Sequence, residues 1–371
     1  MTNPTEIAEI EVNGRRYADW TTIHVEIDYT TLDRICRFTA VEDVGASSTL
    51  ASMQIKPGDE CSVYLGGQLV MTGFVYNRQS SYSARQHGVM LTCRSRTADL
   101  PNSSVKMNEM QFRNYSFSAI ARKVLQPYGI NLKVKTPPSD FDKKFRDVSA
   151  FPGETVYSFL ERLARLRGVF LQDDENGSMV ATQMEPGGSG GAQLEEGRNI
   201  IASSCVIDDE TLFSKLTGYG QTQGTDERWG DRARHPAAEA KGPSTRHRER
   251  VFVVEDQVDD SEDVKRRVTQ ERNALLGRTI DVGVTVQGWF KDSGGLWTIG
   301  EIVSIKSPMH LLDHDLGVKT VVFSQADELG SVTNLTLVRP EFLSSGSKWG
   351  GSGVGGLLPG GTASEPKALT Q

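Results

Sequence analysis

At 371 residues the chain exceeds one ordinary core, and two to three domains are expected. A formal charge of −7 excludes a dedicated basic nucleic-acid binder, and no run of about 18 apolar residues offers a membrane-spanning helix. Four scattered cysteines, Cys36, Cys61, Cys93 and Cys205, lack zinc-site spacing and read as buried free thiols.

The first ~100 residues read as antiparallel β. Asn13-Gly14 marks a hairpin turn, and Ile23, Val25, Ile27 and Tyr29 alternate with His24, Glu26 and Asp28. Pro57-Gly58-Asp59 opens a second hairpin through Val63, Leu65, Gly66-Gly67 and the strand 69–75, and Val89, Leu91 and Cys93 alternate again. Many short strands joined by tight turns imply a barrel or sandwich.

Apolar spacing then turns helical at Phe117, Ile120, Ala121, Val124 and Leu125, with Ser116 as N-cap and Gly129 as stop. A second helix carries Val156, Phe159, Leu160, Leu163 and Leu166 and ends near Gly168. A hairpin follows at Asn176-Gly177, and the Gly-rich run 186–191 closes this α+β stretch. Strands resume at 200–206 and 212–219. The polar segment 221–250 reads as a long exposed loop, and 251–254 as a short strand. The segment 260–276 is helical with a thin apolar stripe of Val264, Val268 and Leu275, which predicts a surface helix. From 280 to 338 the chain is β once more. The Gly/Ser-rich tail 344–371 is expected to be disordered.

The resulting fold class is mainly β with an α+β insertion. The expected division is 1–105 for the first β domain, 106–196 for the insertion, joined by 251–279, and 197–250 with 280–343 for the second β domain. No clear sequence repeat joins the two β domains. The polar N-terminus, Met1-Thr2-Asn3-Pro4-Thr5-Glu6, lacks the regions of a secretory signal, so assembly in a cytoplasm is expected.

Several residue groups invite a chemical reading. His310, Asp313, His314 and Asp315 gather donors suited to a metal, but a polar connection between strands is favoured. Asp173-Asp174-Glu175-Asn176-Gly177 fails calcium-loop spacing and reads as a turn. Glu154 and Glu161 read as structural carboxylates, Glu154 in the first turn of the second helix and Glu161 paired with Arg165. Arg232, Arg234, Arg246, Arg248 and Arg250, with His235 and His247, make 221–250 locally basic. Glu227, Asp231, Glu239 and Glu249 dilute that field, so a solvated loop or protein contact is preferred to phosphate binding. No catalytic, cofactor-binding or metal-ligating residue is assigned, and no cofactor is expected.

Pro57-Gly58-Asp59, Gly66-Gly67, Thr72-Gly73 and Arg94-Ser95-Arg96-Thr97-Ala98-Asp99-Leu100 resemble the P-type tail proteins of Mu-like phages. So do Val12-Asn13-Gly14, Trp20-Thr21 and Ser331-Val332-Thr333-Asn334-Leu335-Thr336-Leu337-Val338-Arg339-Pro340-Glu341, and the likeness covers about 7–343. Gly153-Glu154, Phe159-Leu160 and Gly168-Val169-Phe170 look like the hub module of secretion-system spike proteins, which share the hub fold of T-even phages. The resemblance implies a contractile-tail baseplate hub. It would be a homotrimeric ring of two tube-like β-barrel domains per subunit, joining a hexameric tail tube or tube initiator to a trimeric spike and other baseplate proteins. DNA would pass through without specific binding. Competing readings are the hub of a headless injection particle or secretion-system spike, and a cell-wall-binding or cell-wall-cutting tail protein. For the last, Trp20, Trp229, Trp289, Trp297 and Trp349 are too dispersed to form a sugar platform.

Overall fold

The computed structural model describes residues 6–43, 53–106, 111–183, 192–221, 237–257, 261–326, 330–343 and 367–369. The chain is mainly β. β1 (Ala8–Val12) and β2 (Arg15–Tyr17) close on Asn13-Gly14, both at positive φ as a tight hairpin demands. β3 (Thr22–Asp28), β4 (Ile35–Asp43), β5 (Glu60–Leu65), β6 (Gln68–Tyr82) and β7 (Gln86–Ser95) follow. Period-two alternation buries Ile23, Val25 and Ile27 and leaves the intervening polar residues on the other face.

The middle of the chain holds β8 (Gln111–Tyr115), α1 (Phe117–Leu125), β9 (Leu132–Lys135), β10 (Phe145–Ser149), α2 (Val156–Leu166), β11 (Phe170–Asp173) and β12 (Met179–Thr182). Ser116 caps α1 by accepting the Ala119 amide, and Thr155 caps α2 by accepting that of Ser158. Glu154 therefore precedes the N-cap rather than occupying the first turn, as the sequence had suggested. Next come β13 (Gln193–Glu195), β14 (Ala202–Ile207), β15 (Lys215–Gln221), β16 (Ala237–Lys241), β17 (Glu249–Gln257) and α3 (Ser261–Gly277). β18 (Ile280–Gln287), β19 (Ile302–Ser307), β20 (Leu312–Ala326), β21 (Gly330–Val338) and β22 (Lys367–Leu369) complete the chain.

Both ends of the sequence enter one 13-stranded sheet, ordered β14-β18-β21-β20-β3-β4-β7-β6-β5-β1-β2, with β19 on β20 and β13 on β19. Within it the order β3-β4-β7-β6-β5 recurs as β14-β18-β21-β20-β19. The correspondence extends to irregularities. β6 and β20 are each 15 residues long, and each breaks register once against the preceding strand of the order, β7 or β21, at Val75/Asn77 and at Val318/Thr320. Gly58 N donates to Val75 O at 2.8 Å and Val75 N to Asp59 O at 2.9 Å. Gly300 N and Val318 N repeat both bonds, to Val318 O and Glu301 O, at 2.7 and 2.8 Å. Gly58 and Gly300 both have positive φ, 94° and 81°, which explains glycine at each. A bulge conserved in place between two units fixes their equivalence residue by residue. The sequence showed no repeat; the topology is one.

The two units are stitched by β3 against the outer part of β20, from Thr320↔Asp28 to Ala326↔Thr22. Their buried faces form a common core containing Val25, Phe38, Val63, Leu91, Val282, Phe323 and Leu335.

A second core gathers α1, α2, β8 to β12 and the later elements β15, β16, β17 and α3. This revises two expectations. The segment 221–250 is not wholly an exposed loop: β16 lies within it, and Ala237, Ala238 and Ala240 are buried. Residues 215–221, 237–241 and 249–257 join the four-stranded sheet β17-β15-β16-β22 rather than the large sheet. α3 is not a surface helix either. Val264 and Val268 are fully buried, and Asp263, Thr269, Gln270 and Asn273 are buried beside them. Small β16 alanines allow α3 close approach, and polar residues widen its buried stripe beyond what hydrophobicity reveals. The expected disordered tail lies outside the described residues except for β22, which pairs with β16.

Candidate assembly surfaces

Besides the short end strands β2 and β13, the duplicated sheet leaves two edges without a strand partner among the described residues. One is β14, which pairs only with β18. Its sequence, Ala-Ser-Ser-Cys-Val-Ile, carries neither a charge nor a proline, the usual protections of an edge. Ile201, Val206 and Ile207 are 56%, 59% and 37% exposed, and the nearby turn presents Met309 and Leu311 at 79% and 73%. That turn is tied to β14 by Ser203 Oγ and His310 Nε2 at 2.7 Å. The other edge is the outer part of β6, 77–82. β5 covers only its inner part, from Glu60↔Phe74 to Leu65↔Gln68. Tyr82 is 88% exposed, while Arg78 folds back to the carbonyls of Met53 and Ile55 at 2.9 and 3.2 Å.

These edges are the counterparts of the two strands that pair within the chain. β14 corresponds to β3, and 77–82 of β6 correspond to 320–325 of β20. At the internal joint Tyr29 N donates to Lys319 O at 2.9 Å, and the Thr320 hydroxyl donates to the Asp28 carboxylate. Cys205, half-buried on β14, departs from the expectation of buried thiols that Cys36, Cys61 and Cys93 meet; partial burial still pushes its pKa up.

The face of the sheet opposite the core is mixed, with many polar residues set among Ile35, Val41, Met90, Val206, Val322 and Val332. Thr285 donates to Asn334 at 2.7 Å, and Thr336, Thr320, Ser324, Thr39 and Thr92 share the same side by register. Its charged members include Asp281, Glu26, Asp28, Arg37 and Arg94, which Asp33 holds, with His24 against Glu26 at 3.3 Å, and Glu9, Glu11, Arg16 and Glu60 on β1, β2 and β5. The face is therefore neutral to acidic.

The α+β unit is tied to the large sheet by the ion pair and hydrogen bonds of Arg34. Arg34 Nε donates to Asp173 Oδ1 at 3.0 Å, Nη2 to Asp173 O at 3.1 Å, and Nη1 to Val70 O at 2.7 Å. Burial pushes the Asp173 pKa up to about 6, against the opposing pull of Arg34. Asp174 Oδ1 accepts the amides of Asn176 and Ser178 at 3.0 and 2.8 Å, and Oδ2 accepts Lys133. Burial raises its pKa, but Lys133 and those amides outweigh burial and lower it overall. Asp174 thus serves a turn, as the spacing suggested.

Other sequence candidates are dispersed into structural contacts. Glu154 accepts Arg162 at 3.0 and 2.9 Å and the Phe151 amide at 2.9 Å; Glu161 pairs with Arg165. Asp313, His314 and Asp315 lie along β20 opposite Lys306, Ile305 and Ser304, and the described residues contain no cluster of three metal-ligating side chains. Of the basic segment, Arg246 pairs with Asp209, Arg248 donates to the carbonyls of Asp209 and Glu210 at 2.7 and 2.9 Å, and Arg250 approaches Glu271 at 3.8 Å. Arg232, Arg234 and His235 lie outside the described residues.

Comparison with known proteins places recognisable families along most of this architecture. Residues 7–95 match the family described as Mu phage baseplate assembly protein GpP-like, N-terminal. Residues 97–183 match the second domain of the baseplate hub protein gp44-like family, and 260–345 match the fourth domain of Mu phage GpP. The baseplate hub protein gp44 of Escherichia phage Mu is 23% identical over 338 residues, 90% of this chain and 87% of gp44. A 43 kDa tail protein of prophage MuSo2 from Shewanella oneidensis superposes with a TM-score of 0.77 at 26% identity, covering 91% of this chain and 99% of that one. An E. coli component of the type VI secretion system, itself similar to the T4 tail proteins gp27 and gp5, shares the fold. Its TM-score is 0.52 at 11% identity, over 89% of this chain and 76% of that one.

Proposed function

The chain belongs to the Mu-type phage baseplate hub family, and from that premise we propose that three copies form a ring adapting a hexameric tail tube to a trimeric spike. One observation carries the proposal: the five-strand unit occurs twice in each chain. Three chains then present six similar units to a sixfold tube, while the ring as a whole keeps threefold symmetry for the spike. Each unit is one tube-like domain of the barrel wall, the first within 1–105 and the second from β14 and β18 to β21. The second core, from the insertion 106–196 with β15 to β17 and α3, forms a module on the outside of the ring, where other baseplate proteins dock.

In this reading the face of the sheet opposite the core lines the channel. Serine, threonine and asparagine offer hydration without positive charge, and Asp281, Glu26 and Asp28 outnumber Arg37 and Arg94. Passing DNA meets no row of cations, so counterion release, the main source of non-specific affinity, is absent. The protein acts as a structural part of the virion tail baseplate, assembled in the host cytoplasm, and a conduit for genome ejection rather than an enzyme.

Light scattering of the purified protein, alone and with its tube and spike partners, should report a trimer, and end-on negative-stain views should show a central hole. A monomer that never associates in any of these mixtures refutes the ring. In fluorescence anisotropy, labelled duplex should bind more weakly than about 10⁻⁶ M at physiological salt. Tighter binding with a steep salt slope refutes the passive channel.

A further inference from the structure

We infer that β14 of one copy pairs antiparallel with the outer part of β6 in the next copy, in the register that β3 and β20 already use within the chain. The inference rests on the trimeric reading and adds to it the strands, the register and the facing residues.

Within the chain, the first strand of unit one, β3, docks on the long strand of unit two, β20. The first strand of unit two, β14, and the long strand of unit one, β6, lack that joint among the described residues. A heterologous contact that repeats the internal joint uses both edges at once, and closes a ring in which joints within and between chains alternate. It also removes two exposed edges, one of them uncharged.

The bulges set the register. Ser80 stands three residues beyond the irregularity of β6, as Phe323 stands three beyond that of β20. Cys205 faces Val282 as Val25 faces Cys36, and Val282 faces Leu337 as Cys36 faces Cys93. Since Phe323 pairs with Val25, Ser80 of one copy pairs with Cys205 of the next. Three residues further along, Asp208 meets Asn77. That pair repeats the chemistry of Asp28 with Thr320, a carboxylate facing a neutral donor.

A cross-link tests the register directly. Facing Cα atoms in an antiparallel pair lie about 4.5–5.5 Å apart, inside the span of a disulfide. Ser80→Cys places a new thiol on the same side as the native Cys205 thiol. Diamide as two-electron oxidant takes the two hydrogens and leaves a disulfide between copies. Non-reducing gels should show covalent dimers and trimers for Ser80→Cys. They should be lost when Cys205→Ser is added, and absent for Ser81→Cys, whose side chain points to the other face. Light scattering on the same samples separates the two levels of the argument. A trimeric mass without the Ser80→Cys cross-link, or with a stronger one from Ser81→Cys, overturns the strand pairing and leaves the trimer standing. A monomeric mass at every concentration, with no cross-link, overturns both.

Discussion

Replacing Arg167 by methionine should loosen the junction of α2 and α3 by about 3 kcal/mol. The Arg167 side chain is fully buried. Its guanidinium lies 3.7 Å from the Phe145 ring centroid, Nε donates to Lys143 O at 3.2 Å, and Nη1 donates to Asp263 Oδ1 at 3.1 Å. Asp263 is 1% exposed, so losing Arg167 strands a carboxylate where water cannot solvate it. Breaking such a pair from one side costs ~3–5 kcal/mol. Arg266 still donates to Asp263 at 3.0 Å from a partly exposed position, which holds the cost to the lower end. Hydrogen exchange reads this locally. At about 1.4 kcal/mol per tenfold, the most protected amides of α3 should exchange about 10²-fold faster in Arg167→Met. The double variant Arg167→Met with Asp263→Leu removes both charges and should recover most of the protection, because apolar replacement of a buried pair is close to neutral. A change under about threefold in the single variant, or no recovery in the double, refutes the view that this pair holds α3 in the second core.

Two further outcomes follow from local geometry and titration. Gly73→Ala places a Cβ 1.9 Å from Arg94 O, a backbone atom that cannot step aside, so the β6–β7 ladder must shift; the variant should lose at least about 2 kcal/mol in urea melts, and a near-neutral result refutes the close approach. Asp173 binds its proton more tightly folded than unfolded, with a pKa raised to about 6 by burial, so this group's contribution favours folding at low pH and is lost as pH rises from about 4 through about 6. The melting temperature of Asp173→Asn should lack that downward component across the window, and identical pH profiles for the two proteins refute it.

The elements of this fold were legible wherever one face is apolar and the other polar. β3, the Asn13-Gly14 hairpin, the β5–β6 hairpin and the capped helices α1 and α2 stand where periodicity and turn chemistry put them. What escaped were the short strands β8, β9 and β10, each with one or two inward residues such as Phe112 and Phe145, and elements whose buried face is largely not hydrophobic. α3 buries Asp263, Gln270 and Asn273, and β16 buries only alanines, so one read as a surface helix and the other as loop.

The duplication escaped for a different reason. Equivalent positions share backbone geometry but few side chains. Asp28 and Asp208, Gly58 and Gly300, Leu91 and Leu335, and Thr92 and Thr336 coincide, whereas Val25 answers to Cys205 and Phe323 to Ser80. That last difference separates the two kinds of joint. Val25 and Phe323 are completely buried inside one chain, where the joint forms once on folding. Cys205 and the outer residues of β6 are smaller or more polar, which suits an edge that must stay soluble until a second copy arrives. A repeat that must be identical in backbone but different in stickiness conserves bulges and turns rather than residues. It becomes visible only when strand order and register are laid side by side.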